Sequence, residues 1–435
     1  MITNGMAANS ERGQQSQRRA FFTVVGAHFL SSLADNALLI LAIGLLTERH
    51  ASGWTTPALR LVFYLSFVLM AAYAGAIADS APKGRILFFS SIVKFVGCIL
   101  LLVHLHPLLA YALIGFGAAA YGPARFGILP ELLASEALVK ANAWIEVSSV
   151  FSILLGVVLG SVLMDERIIT LIWPPSFLFN GSRAMSGVVT ISLLYFSAIV
   201  ASAAIPLNPA SDPTALTSPN KLQKKFADAL KLLLHDHEAQ ISLGVTSLFW
   251  AVSATLQFLI LQWAENILRL TLSQSALLQV AVAAGVIVGA IVAGRWVKLH
   301  QSLSILPIGF ALSVGVGLMI WVNQTWIAIL LLLVIGTLAG SLLIPMNALL
   351  QQRGYRLMHP GQSIAVQNFC EHLASLTLLA LYGLLLYLDA PILPIIGGLA
   401  LLITTCMIAL INLHQRNLRT AKSFDGFSIA AKSLR

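Results

Sequence analysis

A chain of 435 residues that is 58% hydrophobic and only 10% charged, with a mean hydropathy of +0.87, is not a soluble globular domain and reads as a polytopic membrane protein. Lys and Arg outnumber Asp and Glu by 26 to 17. In a membrane protein that excess marks cytoplasmic loops, and no basic, aromatic-rich segment of the nucleic-acid-binding kind is present.

Twelve apolar runs of spanning length are predicted, at about 21–46, 57–78, 85–104, 107–129, 140–163, 184–206, 240–263, 271–294, 302–322, 325–350, 362–387 and 391–413. The expected fold class is therefore an all-α polytopic membrane protein, with twelve transmembrane helices in two pseudo-symmetric six-helix bundles. Residues 1–20 form a polar N-terminal tail carrying Arg12, Arg18 and Arg19. The apolar run after it is too long for a signal peptide and lacks a small-residue cleavage site, so it reads as an uncleaved first span. Most Lys and Arg fall in alternate loops, which predicts both ends in the cytoplasm.

The first span holds a costly residue. Asp35, followed by Asn36, lies near its middle, where a carboxylate costs roughly 2.5–3.5 kcal/mol. It must face protein or a wet cavity and needs a cationic partner. A fixed ion pair between two helices is the plainer alternative to a functional role. The loop after the second span reads Gly75-Ala-Ile-Ala-Asp79-Ser-Ala-Pro-Lys83-Gly84-Arg85, a carboxylate followed by basic residues in a tight turn. It is similar to the loop motif of the major facilitator superfamily, with two extra residues between Asp79 and Gly84. Gly75, Asp79, Lys83 and Arg85 are its candidate conformational residues, with Asp79 expected to cap a helix end. A plain turn with cytoplasmic positive charges is the alternative.

Residues 21–206 form the predicted N-terminal bundle and 240–413 the C-terminal bundle, with 414–435 as a tail. Between the bundles, 207–239 follows Pro206, carries Pro209, Pro213 and Pro219, and becomes a basic amphipathic helix. Its Leu222, Phe226, Leu230, Leu233 and Leu234 share a face, which suits it to an anionic membrane surface. His235-Asp236-His237-Glu238, and His104 with His106, lack a fourth ligand at diagnostic spacing. Cys98, Cys370 and Cys406 lie in apolar runs at unrelated spacings. No metal and no cofactor is expected.

The two halves echo each other. Pro123 matches Pro345 and Arg125 matches Asn347; Ala141–Glu146 matches Val366–Glu371, so Asn142 pairs with Gln367 and Glu146 with Glu371. Repeats of one orientation imply two parallel six-helix halves related by an axis along the membrane normal. Gly156-x-x-x-Gly160 and Gly285-x-x-x-Gly289 are expected where the halves meet.

The intramembrane ionisable set is Asp35, Lys94, Arg125, Glu146 and Glu371, with His28 and His372. Acids and bases nearly balance, as pairing requires. Asp35 and Arg125 are the expected breakable gate pair, with Lys94 and Glu146 nearby, because a guanidinium makes paired bonds to a carboxylate. Asn36, Asn142, Gln257, Asn347, Gln367 and Asn368 would add neutral polar contacts.

The segments FLSSLADNALL, GAAAYGPARFGILPEL, LVKANAWIE, VTSLFW, IPMNALLQQRG and IAVQN with Glu371 resemble the bacterial lysophospholipid transporter family of the major facilitator superfamily. The resemblance runs from about residue 20 to about 413. It implies a flippase that moves lysophosphatidylethanolamine and related lysolipids across the inner membrane to the cytoplasmic leaflet. There an acyltransferase/acyl-carrier-protein synthetase reacylates them. No enzyme activity of the chain itself and no nucleic-acid partner are expected, and the chain is expected to be a monomer among membrane lipids. The family's polar core carries over onto Asp35, Asn36, Lys94, Glu146, Gln367, Asn368 and Glu371. Two positions depart: Arg125 stands where the family has a lysine, and Gln257 where it has a seventh-span arginine. The alternative on the same fold is a proton-coupled exporter of drugs or small metabolites, with Asp35 or Glu146 carrying the proton. A membrane enzyme of lipid metabolism is disfavoured, since no Ser-His-Asp, H-x4-D or metal set lies at a membrane face.

Overall fold

The computed structural model describes residues 2–50, 55–172, 182–270 and 272–433. In chain order the helices are α1 (Ile2–Glu48), α2 (Thr55–Ser80), α3 (Lys83–Leu102), α4 (Pro107–Gly127), the one-turn α5 (Leu129–Leu132), α6 (Leu138–Met164) and α7 (Glu166–Ile172). They continue with α8 (Arg183–Ala203), α9 (Pro219–His235), α10 (Ala239–Asn266), α11 (Leu272–Trp296), α12 (Ile308–Leu318), α13 (Thr325–Leu357), α14 (Pro360–Tyr387) and α15 (Ile392–Ser433). Among the described residues there is no strand.

Among the described residues, eleven helices are long and apolar enough to cross a membrane, and a bent pair taken as one span makes a twelfth. That pair is the ninth predicted span, expected as one run over 302–322. It is broken into Leu299–Ile305 and Ile308–Trp321 with a 44° bend. Pro307 sits at the break, where its ring removes a backbone donor and crowds the preceding turn. Pro123 in α4 and Pro345 in α13 stay inside their helices, at matching places in the two halves.

The chain divides into two compact units. The first holds residues as far as Ala229 together with Gly354–Phe369, and the second holds Leu230–Arg353 together with residues from Cys370 onward. Each has its own apolar core. Leu38, Leu41, Leu45, Leu101, Ile114, Val188 and Ile191 centre the first. Leu259, Trp263, Val316, Leu332, Leu343 and Ile396 centre the second.

The small-residue pairs act inside the units. A Cβ at Gly156 of α6 would sit 2.7 Å from the Leu33 carbonyl oxygen of α1, and one at Gly160 would sit 2.6 Å from that of Ala37. The absent side chains let α6 lie directly on the α1 backbone, beside Asp35 and Asn36. In the second unit, Gly285 and Gly289 of α11 meet the α13 backbone at Leu333 and Thr337 in the same way.

Helix ends account for several polar residues. His104 and Asp389 adopt left-handed φ values of 65° and 53° just past α3 and α14. Around each, two backbone bonds close the last turn: Leu105 N to Leu100 O and His104 N to Leu101 O, each at 3.1 Å, and Ala390 N to Leu385 O and Asp389 N to Leu386 O, each at 3.0 Å. His106 caps α4, accepting from Leu108 N on Nδ1. Asp236 caps α10 through Glu238 N and Ala239 N and holds Arg353 through two guanidinium nitrogens, one of them Nε at 3.0 Å. Burial pushes the Asp236 carboxyl up, but the Arg353 and backbone hydrogen bonds outweigh it and hold the group below its usual range.

Helix α9 departs from the expectation of a membrane-surface helix. Leu222, Ala229 and Leu233 are buried at 4%, 5% and 0% exposure, and Phe226 packs edge-to-face on Phe369 at 5.3 Å. Protein covers most of the apolar stripe, leaving Leu234, Lys221, Lys224, Lys225 and Lys231 exposed.

Replacing Gly156 by Val forces a side chain onto the α1 carbonyl, so it is expected to destabilise the first unit by about 1–3 kcal/mol or more. Gly26→Ala, with nothing within 4 Å of the added carbon, should be neutral. Thermal unfolding of the two purified variants against the parent checks this; equal midpoints would contradict it.

Candidate functional site

Three residues of α1 share one face: His28, Ser31 and Asp35, at spacings of three and four. Asp35 Oδ2 lies 2.6 Å from Lys94 Nζ of α3. Asp35 Oδ1 accepts from the Tyr195 hydroxyl of α8 at 2.7 Å. Lys94 Nζ also donates to Ser31 Oγ at 2.9 Å and stands over the Tyr121 ring of α4, 4.9 Å from its centre. The Lys94 side chain is 3% exposed and that of Asp35 16%. Gly117 of α4 makes room for the lysine stem, since a Cβ there would fall 2.9 Å from Lys94 Cγ. Four helices thus converge on one ion pair.

The expected pairing of Asp35 with Arg125 is corrected here. Both oxygens of Asp35 are engaged, by Lys94 and Tyr195. Arg125 lies against His28 instead, with Nη1 2.7 Å from Nε2 and 2.9 Å from Nδ1 of the imidazole. His28 Nε2 is also 2.8 Å from Ser149 Oγ of α6. Four residues separate Tyr121 from Arg125 on α4, one helical turn, so they face the same way as Gly117. Glu146 of α6 is buried and within electrostatic reach of Arg125.

The neutral candidates divide between the units. Asn36 donates to its own helix at Ser32 O (2.8 Å) and Asn142 to Leu138 O (2.9 Å). Gln367 is buried, and a Cβ at Gly122 would sit 2.8 Å from Asn368 Nδ2, so Asn368 reaches α4 within the first unit. Asn347 and Glu371 are buried in the second unit. There Gln257, at the position expected to be arginine, pairs with Gln279: Gln279 Nε2 donates to Gln257 O at 3.0 Å, and the side-chain amides are 3.4 Å apart.

A second charged cluster lies at the Asp79 turn. Asp79 accepts Gly361 N on Oδ1 and Gln362 N on Oδ2, each at 2.8 Å, and so caps α14 from the end of α2. Gly75 permits the approach, because a Cβ there would lie 2.9 Å from Gln362 Cα. The turn buries Lys83 at 1% exposure, where its ammonium meets Asp79 at 3.5 Å and Glu131 and Ser211 at 2.5 Å each. Ser211 closes the triangle by donating to Glu131 at 2.8 Å. Asp212 donates its backbone N–H to Asp79 O at 2.9 Å. The Thr214 hydroxyl bond holds the Asp212 carboxyl below the usual range. Arg85 is exposed.

Tyr195, Tyr121, Ser31, Glu131 and Ser211 were not among the residues expected from the sequence. Their hydroxyls and carboxylate join clusters seeded by residues that were, and only the His28–Ser31–Asp35 spacing hinted at a polar face.

The profile of the Major Facilitator Superfamily matches residues 24–379. The chain belongs to the Major Facilitator Superfamily. Curated relatives in this superfamily include the lysophospholipid transporter LplT of Yersinia pestis (strain Pestoides F) and that of Yersinia pseudotuberculosis serotype O:3 (strain YPIII). Each is 36% identical over 375 residues, covering 86% of this chain and 88% of the relative. Among solved superfamily structures, the human organic anion transporter MFSD10 (TETRAN) superposes with a TM-score of 0.70 at 14% identity, over 91% of this chain and 99% of that one. FucP in the outward conformation gives 0.70 at 13% identity, over 91% and 97%. At those identities the likeness is one of fold alone.

The pair chemistry predicts a stability pattern. Lys94→Met leaves the mostly buried Asp35 carboxylate with one hydroxyl partner, at a cost of up to about 3–5 kcal/mol. Asp35→Asn added to Lys94→Met removes the orphaned charge and should recover much of that loss. Thermal unfolding of the single and double variants reads the coupling; additive losses would contradict the pairing.

Proposed function

We infer that the chain is a lysophospholipid transporter working by alternating access. The observation that carries this is the 36% identity over 86% of the chain to transporters named for that substrate. The site chemistry supports it. A lysophospholipid headgroup carries a phosphate and, in the ethanolamine case, a primary ammonium. The Asp35–Lys94 pair offers one charge of each sign, so the headgroup can exchange partners with it without leaving an uncompensated charge. As Lys94 takes the phosphate, Asp35 keeps the Tyr195 hydroxyl and receives the ammonium. Arg125, His28 and Glu146 line the next turn, and Asn36, Asn142, Gln367 and Asn368 add neutral contacts. In the second unit, Gln257, Asn347 and Glu371 are its own candidate polar residues.

The membrane is the bacterial inner membrane, with both chain ends in the cytoplasm, where most of the Lys and Arg fall. Lysophosphatidylethanolamine and related lysolipids move to the cytoplasmic leaflet, where an acyltransferase/acyl-carrier-protein synthetase consumes them; the transporter itself carries out no chemistry. Asp79, Gly75, Lys83 and the α14 start then form the cytoplasmic-side latch, loosened and remade in each cycle.

Uptake of labelled lysophosphatidylethanolamine into spheroplasts lacking any related transporter tests the reading. The parent chain should confer uptake that a protonophore leaves intact, and Asp35→Asn should lower it tenfold or more. Uptake no greater than in cells without the chain would contradict lysolipid transport, and collapse on adding the protonophore would favour a proton-coupled carrier.

A further inference from the structure

One polar atom beside the ion pair has nothing to bind. The Tyr121 hydroxyl is buried and, unlike that of Tyr195, has no hydrogen-bond partner. A donor sealed from water without an acceptor is unfavourable, and native proteins keep few such groups without reason. Its surroundings are charged, with two cations and the Asp35 carboxylate that Lys94 holds. Lys94 Nζ stands over its ring, Arg125 follows one helical turn later on the same face of α4, and both Arg125 and Asp35 act electrostatically on the phenol. The His28 ring packs beside it, 6.3 Å between centres. A neutral donor held between two cations is suited to an anion carrying several acceptor oxygens, and Lys94 is already occupied by Asp35 until that anion arrives.

We propose that Tyr121 is a headgroup-binding residue: its hydroxyl donates to the phosphate of the bound lysophospholipid while Lys94 turns from Asp35 to the same group. This rests on the lysophospholipid reading above and adds what the pair alone does not provide. A lysine is a point charge with freely rotating donors, whereas a fixed phenol marks where a phosphate oxygen must sit. The two tyrosines then divide the work. Tyr195 keeps a hydrogen bond on Asp35 after the lysine departs, and Tyr121 receives the anion the lysine turns to. The site therefore selects for a phosphate next to the glycerol and not merely for a single-chain lipid.

Tyr121→Phe removes the hydroxyl and keeps the ring under Lys94. Binding is measured on the purified full chain in lipid nanodiscs, with lysophosphatidylethanolamine and with monoacylglycerol of the same acyl chain. The phenylalanine variant should bind the phosphate-bearing lipid about tenfold or more weakly, as expected for one lost hydrogen bond to a charged group, and monoacylglycerol as the parent does. Equal affinity of parent and variant for lysophosphatidylethanolamine would overturn the proposal, and so would an equal loss for both lipids, which would mean disturbed packing. If the parent binds and transports no lysolipid, the lysophospholipid reading itself fails, and the proposal with it. The contact is also read without a substitution, by infrared difference spectra of the parent carrying ring-labelled tyrosine. Lysophosphatidylethanolamine should shift a tyrosine C–O band that monoacylglycerol leaves in place, and the absence of that shift would overturn the proposal.

Discussion

A carboxylate and an ammonium 2.6 Å apart inside a membrane domain constrain everything around them. Neither tolerates hydrocarbon, so Asp35 and Lys94 must face each other across α1 and α3. That fixes the rotation of both helices about their axes. The Tyr195 bond then brings α8 to the same point, and Gly117 lets α4 close over the lysine stem. On the opposite side of α1, Gly156 and Gly160 bring α6 against the backbone within a turn of Asp35. The polar centre and the tight apolar contacts are thus two aspects of one packing solution. The first makes rotation of α1 costly, and the second makes its displacement costly.

A different logic governs the Asp79 turn. Asp79 uses both oxygens on the backbone N–H groups that open α14, a charge-assisted helix cap supplied from another helix. The two extra residues before Gly84 carry Lys83 into a buried position shared with Glu131 and Ser211. The linker is thereby tied into the turn, since Ser211 and Asp212 both lie in it. The first unit thus holds a buried pair whose charges a zwitterionic headgroup can replace, and a cap whose bonds must loosen if the start of α14 moves. The first suits substrate exchange and the second suits a conformational latch.

Much of this was legible in the amino-acid sequence because depth along an apolar helix is. Asp35 stood out since no lipid-facing helix carries a mid-span carboxylate, and Asp79 stood out from its loop pattern. Azimuth was not legible. Lys94 and Arg125 both lie on helices that reach α1, and hydrogen-bond geometry favoured arginine; the backbone instead places Arg125 on His28 one turn away. Tyr121 and Tyr195 were hidden because a tyrosine in an apolar run is ordinary, and only its hydroxyl's neighbours distinguish it. The glycine pairs announced close packing but not the partner, which lies within each unit. Leu222 and Leu233 on α9 gave an apolar stripe without saying whether lipid or protein would cover it, and Pro307 bent a span whose hydropathy was continuous.

The central claim is that Lys94, and not Arg125, is the working counter-ion of Asp35. Lysolipid uptake by charge-exchanged variants tests it most directly. Asp35→Lys combined with Lys94→Asp restores the opposite charges in the same place, and the account predicts uptake clearly above that of either single substitution. Should that double variant be as inactive as its parents while Asp35→Arg with Arg125→Asp recovers uptake, the pairing described here would be contradicted.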